Sequence, residues 1–238
     1  MGDKHAETAR LLWGPRSKPT RGPKPTLDLD RIALAGIEIA APEGLAAVSM
    51  QRVAAQLGVT KMALYRYVPG KSELVALMVD AAIGPYPAVD EQPSGWREQL
   101  EDWARRLLAV FRRHPWALDA TIGPRIMGPA ELAWTERAVS ALDGTGLTGA
   151  ERMDAVVLLV GHVRGITQQA RAAGPAGNPE AQLSAILGDL MQASGERFPA
   201  LAAALASADQ SDGQDQAWEF GLQRILDGLA VLIDQRAH

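Results

Sequence analysis

Between Ser49 and Tyr67 a small residue, Ala54, stands four positions ahead of a glycine, Gly58, and few folds suit that spacing. Two short helices cross closely only where one of them offers a small side chain. The sharp turn between them calls for a residue that tolerates positive φ. Val53, Leu57, Val59 and Leu64 are spaced to fill the wedge between such helices. Ser49 is an N-cap residue ahead of a first helix, Met50 to Gln56, and Pro69-Gly70 closes a second, expected over about 60–67. The pattern is that of a helix-turn-helix. It leaves Thr60, Lys61, Met62, Ala63, Tyr65, Arg66 and Tyr67 on or near the exposed face and flanks of the second helix. A helix this short fits a DNA major groove, with its N-terminal residues toward base edges.

Apolar residues keep a helical period on both sides of this unit. Asp28 or Asp30 opens a helix carrying Ile32, Leu34, Ala35, Ile39 and Ala40, expected to stop before Pro42. Another begins near Lys71 with Leu74, Leu77, Met78 and Ala81, and ends before Gly84-Pro85-Tyr86-Pro87, a chain break that reads as a domain boundary. Beyond it, Trp96, Leu100, Trp103, Leu107 and Val110 form one stripe that ends at His114-Pro115. Leu132, Trp134, Val139 and Leu142 mark a further helix, and Thr148 caps a long one to about Ala173. Residues 181–206 are helical with an interruption near Pro199, and a last amphipathic helix carries Trp218, Leu222, Ile225, Leu226, Leu229 and Ile233. No alternating strand pattern occurs, so the expected fold is all-α. The expected domains are a flexible basic arm over 1–25, a helix-turn-helix domain over 26–84, and a helical effector-binding and dimerisation domain over 85–238.

Net charge is −4, which taken alone argues against a nucleic-acid partner. The distribution argues otherwise. All five lysines lie within the first 71 residues, and residues 1–80 hold 11 basic against 8 acidic side chains. Such asymmetry gives one domain a cationic surface while the other stays acidic. Gly14 to Pro25 carries four prolines and the cations Arg16, Lys18, Arg21 and Lys24 without an anion. Proline disfavours helix, so the segment is expected to be extended, either as an arm along phosphates or into a minor groove, or as a solvated linker.

Composition excludes several classes. The chain has no cysteine, hence no disulfide framework and no thiolate metal site. The first ten residues hold four charged side chains and no apolar run, and the longest apolar stretch, Ala155 to Gly161, is too short to cross a bilayer. A cytoplasmic chain without membrane contact is expected. Gly70-Lys71-Ser72 resembles the end of a phosphate-binding loop, but the glycine such a loop requires would fall at Tyr65. His5, His114, His162 and His238 lack metal-ligand spacing, and no Gly-x-Ser-x-Gly motif occurs. No metal, cofactor or enzymatic activity is expected. The alternative to a DNA-binding regulator is a helical small-molecule-binding protein or enzyme that ignores DNA.

The segment from Leu29 to Asp80 resembles the tetracycline-repressor (TetR) family of regulators. The resemblance rests on Ile39-Ala40-Ala41-Pro42-Glu43-Gly44-Leu45, Leu57-Gly58-Val59, Leu64-Tyr65-Arg66-Tyr67 and Gly70-Lys71-Ser72-Glu73-Leu74. Weaker similarity continues through Arg113-His114-Pro115-Trp116 and from Gly128-Pro129 to Trp134, as in the C-terminal domain of the tetracycline-repressor subgroup. The resemblance implies that Gln51 reaches a base or phosphate and that Lys61, Met62 and Ala63 face the major groove. It implies phosphate contacts from Tyr65, Arg66 and Tyr67, and from Lys71 together with its helix N-terminus. Tyr65 and Tyr67 could instead cap the small core.

A lone helix-turn-helix reads few base pairs, so a homodimer on a palindromic double-stranded operator is expected, built on the helices over 148–173 and 216–236. Gly161 and Gly165 could sit at that contact or serve packing within the chain. Trp103, Leu107, His114, Trp116, Met127, Trp134, His162, Thr167 and Gln168 are the candidates to line a mostly apolar effector cavity. The tryptophans could equally pack the core. The expected activity is repression released by a small-molecule effector.

Overall fold

The computed structural model describes residues 3–14, 27–87, 95–174, 178–207 and 216–236. Among the described residues there are twelve α-helices and no strand. They are α1 (Asp3–Trp13), α2 (Leu29–Glu43), α3 (Met50–Gln56), α4 (Lys61–Tyr65), α5 (Lys71–Ile83), α6 (Trp96–Arg113), α7 (Ala117–Ala120), α8 (Pro129–Ser140), α9 (Gly149–Ala173), α10 (Pro179–Ser194), α11 (Pro199–Ser207) and α12 (Gln216–Arg236).

The helix starts follow local chemistry. Asp28, Ser49, Thr60 and Thr148 each hold an extended backbone, and each side chain accepts the N–H three residues on, satisfying a donor the helix itself cannot. At Thr148 the partner Glu151 returns a bond to the cap, completing a capping box. Helix α2 runs to Glu43 rather than stopping before Pro42. Proline costs one N–H there, but in the last turn its ring meets an exposed face, and Gly44 at φ 79° closes the helix by donating to Ala40 O. Leu34, read from sequence as part of the inward stripe, is exposed.

Helices α2 to α5 form a small core around Ile32, Val53, Leu64, Leu74, Leu77 and Met78, all nearly inaccessible to water. The larger body packs α6, α8, α9 and α12 around Leu100, Trp103, Leu142, Leu159, Leu222 and Leu226. Helix α5 joins the two by packing against α7 and α8.

The expectation of a flexible arm over 1–25 does not hold for its first part. Residues 3–13 form α1, which places Thr8 and Leu12 against α5. No proline interrupts this stretch, and Thr8, Leu11 and Leu12 make one inward face at helical spacing. Arg16, Lys18, Arg21 and Lys24 lie outside the described residues.

Candidate nucleic-acid interface and ligand domain

Helices α3 and α4 meet as the spacing requires. Val53 and Ala54 are buried at the crossing, and Val59 N–H donates to Ala54 O at 3.0 Å across the turn. Gly58 sits at φ 67° in that turn, where a side chain would be strained. Thr60, placed among the DNA-facing residues from sequence, is the N-cap of α4: its Oγ1 accepts from Ala63 N–H at 3.2 Å. The helix itself is shorter than expected, ending at Tyr65 with Arg66 and Tyr67 in the turn that follows.

What remains outward is mostly polar and aromatic. Gln51, Lys61, Met62, Tyr65, Arg66, Tyr67 and Lys71 are all exposed, and Ala63 is half-buried. Met62 stands 71% accessible at the tip of α4, where an unpartnered apolar side chain gains nothing from water. Tyr65 and Tyr67 are 38% and 41% exposed, whereas Leu64 and Val68 beside them are fully buried. Lys61 Nζ lies 5.7 Å from the Tyr65 ring centroid, so cation and ring share one patch. Arg52, beside Gln51, is engaged in a two-pronged pair with Glu43 at 2.6 and 2.8 Å. Lys71 and Ser72 are exposed at the first turn of α5, where the helix dipole favours an anion.

The residues assigned from sequence to an effector cavity fall into three groups. Trp103 and Trp134 are core residues whose N–H groups are already used, on Trp134 O at 2.8 Å and Gly84 O at 3.0 Å. Leu107 is buried beside them, and Thr167 returns its hydroxyl to Val163 O at 2.8 Å. Met127 and Gln168 are exposed, and His162 stacks on Trp218 at 5.1 Å with Nε2 2.9 Å from Trp218 O. His114 and Trp116 differ from all of these. Their rings meet edge-on at 6.0 Å, and among the described residues neither His114 Nδ1 nor Trp116 Nε1 has a hydrogen-bond partner although both atoms are buried. A buried donor left without an acceptor costs about 1–3 kcal/mol, so such groups call for an explanation. Burial, with Arg113 nearby, pushes the His114 imidazole below its ordinary value and favours the neutral ring.

Sequence reasoning missed Arg164. Its guanidinium donates to Thr121 Oγ1 and, at 2.8 Å, to Leu118 O, and it lies over the Phe111 ring. Burial and the neighbouring Arg125 push its pKa down, opposed by Asp119. No sequence signal marked it, since a single arginine on a long helix looks like any surface cation.

An all-helical chain that presents a short exposed helix across a glycine turn, ahead of a larger helical body, is a helix-turn-helix regulator. Residues 32–78 match the family described as bacterial regulatory proteins of the tetR family, and residues 88–233 match the tetracyclin repressor-like C-terminal domain. A transcriptional repressor of Streptomyces coeruleorubidus, DrrR1, is 42% identical over 97% of this chain and 87% of its own length. The apo crystal structure of ActR from Streptomyces coelicolor aligns with a TM-score of 0.73 at 27% identity, over 90% of this chain and 99% of that one. ActR in complex with actinorhodin aligns with the same TM-score at 29% identity, over 87% and 98%. The chain belongs to the TetR family of transcriptional regulators.

Proposed function

We propose that this TetR-family regulator is a repressor that binds a palindromic operator as a homodimer and releases it on binding a small molecule. The outward surface of Gln51, Lys61, Met62, Tyr65, Arg66, Tyr67 and Lys71 on one side of α3 to α5 carries the DNA half of this reading. In this reading Lys61, Met62 and Ala63 face the major groove, Met62 and Ala63 offering methyl and shape contacts to bases, while Tyr65, Arg66, Tyr67 and Lys71 contact phosphates. Residues 26–84 form the DNA-binding domain and residues 85–238 the effector and dimer domain. Met153, Val157 and Leu158 on α9, with Phe220 and Val231 on α12, are exposed apolar side chains on the two helices expected to pair. Binding and release suffice for this work, so the chain needs no catalytic group, and a soluble cytoplasmic life suits it. Among the described residues no helix is long and apolar enough to cross a membrane.

The unpartnered Trp116 N–H and His114 Nδ1 support the sensor half: they would hold a polar edge of an otherwise apolar effector. An effector acts only through its different affinity for the two dimer states, and operator DNA must then weaken effector binding by the same factor. A gel-shift against the DNA upstream of the chain's own gene tests the DNA half. The sensor half is tested by a tryptophan-fluorescence screen, actinorhodin included, followed by operator titration. A pocket ligand that leaves operator affinity unchanged would refute the sensor mechanism and leave the DNA-binding reading standing.

A further inference from the structure

Helix α1 lies outside both stretches that match the family, which begin at residues 32 and 88. It is nevertheless tied into the structure at two functional places. At one, Thr8 Oγ1 donates to Glu73 Oε1 at 3.3 Å, with both residues buried. Glu73 is in the first turn of α5, two residues after Lys71, and its other oxygen lies so close to Gly70 that a Cβ there would sit 2.9 Å from it. The start of α5 has no side-chain cap of its own. The carboxylate wedged between Thr8 and Gly70 therefore sets how the first turn, with exposed Lys71 and Ser72, is presented. At the other place Trp13 Nε1 donates to Met127 O at 3.0 Å. Met127 precedes Gly128, and Gly128 is pressed against Asp80 of α5 at the entry to α8. Leu12, between the two anchors in sequence, is 3% exposed and fixes α1 on the core.

We infer that α1 is a clamp, with Thr8 and Trp13 as positioning residues that hold the Lys71 end of α5 in register with the entry to α8. The inference rests on the proposed phosphate contact of Lys71.

The test uses the full-length protein and a duplex that the wild type selects from a random-sequence pool. Thr8→Val keeps the shape and removes the donor, Thr8→Ser keeps the donor, and Trp13→Phe keeps a ring without the N–H. Thr8→Val and Trp13→Phe are expected to weaken operator binding about three- to tenfold, with helical content by circular dichroism unchanged and Thr8→Ser close to wild type. Because Thr8 acts through Lys71, Thr8→Val combined with Lys71→Ala should bind no more weakly than Lys71→Ala alone. Simple additivity of the two losses, or variants that bind as the wild type does, overturns the inference and leaves the DNA reading intact. A wild type that selects no duplex overturns both.

Discussion

Asp80, on α5, accepts the backbone N–H of Ala130 at 2.8 Å and so caps a helix that belongs to the other half of the molecule. Helix α8 begins at Pro129 behind Gly128, which has no side chain to offer, and Asp80 Oδ1 also takes the Glu131 N–H at 3.3 Å. Glu131 is in turn buried against Arg125. A carboxylate at a helix N-terminus meets both the unsatisfied donors and the positive end of the dipole. The last turn of α5 and the first turn of α8 are thereby one hydrogen-bonded unit.

Asp80→Ala should cost about 1–2 kcal/mol of stability, as the loss of an N-cap does, and Asp80→Asn less, since the amide oxygen can still accept. Gly128→Ala should cost about as much for a different reason. Its Cβ would collide with the Asp80 carboxylate, so the latch must open or shift to admit it. Urea unfolding of the three variants checks the order; an Asp80→Ala protein as stable as the wild type would show the cap contributes nothing.

The secondary structure was largely legible from sequence because its signals are local. Asp28, Ser49, Thr60 and Thr148 open helices, and Gly84 and Gly174 close them. The outward set on α4 was legible too, because Leu64 fixes which side faces in. What sequence could not show was long-range. Asp80 reads as one more charge on an amphipathic helix, and nothing local says that it caps residues fifty positions on. Trp103 and Trp134 read as pocket or core alike, and only their backbone partners separate the two uses.

Thr60→Val should weaken operator binding more than its surface position suggests. Helix α4 has only five residues, too few to hold itself together, and the lost cap is worth about 1 kcal/mol. Anisotropy titration against the selected duplex should show about fivefold weaker binding, with a thermal midpoint lowered by a few degrees. Unchanged affinity would mean that α4 is not the element that docks.

Lys71→Ala should weaken binding uniformly across operator variants and reduce the slope of log affinity against log salt by about one. Removing residues 15–25, with Arg16, Lys18, Arg21 and Lys24, should flatten the slope further if these cations reach phosphates. A change in sequence preference on losing Lys71 would contradict its assignment to phosphate.

Glu151 and His114 contribute to the acid side of the stability profile in two different windows. Glu151 is held down to about 2 from 4.5 by Arg236 and by the N–H and hydroxyl of Thr148. Its contribution is present above 4.5 and is lost as pH falls from there toward 2. His114 is lowered from 6.5, so the unfolded chain takes up its proton first, and stability begins to fall as pH drops below 6.5. Glu151→Gln should flatten the lower window and His114→Gln the upper one, read as urea midpoints against pH.

Val157→Asp tests the dimer without disturbing the protomer. Val157 is 64% exposed on α9, and near it along the same helix Leu158 is 52% exposed and Gly161 and Gly165 have open space around them. A carboxylate at Val157 is therefore mostly solvated in a single chain. In a dimer packed through α9 and α12 it would be desolvated against apolar side chains, and against its own symmetry copy if α9 crosses the two-fold axis, a penalty of several kcal/mol. Light scattering at micromolar concentration should show a dimer for the wild type and a monomer for the variant, with the same helical content. Operator affinity should then fall by at least a hundredfold, since each monomer holds one half-site alone. A variant that stays dimeric would move the interface away from this face of α9. A monomeric wild type that still binds its operator tightly would dismiss the dimer requirement altogether.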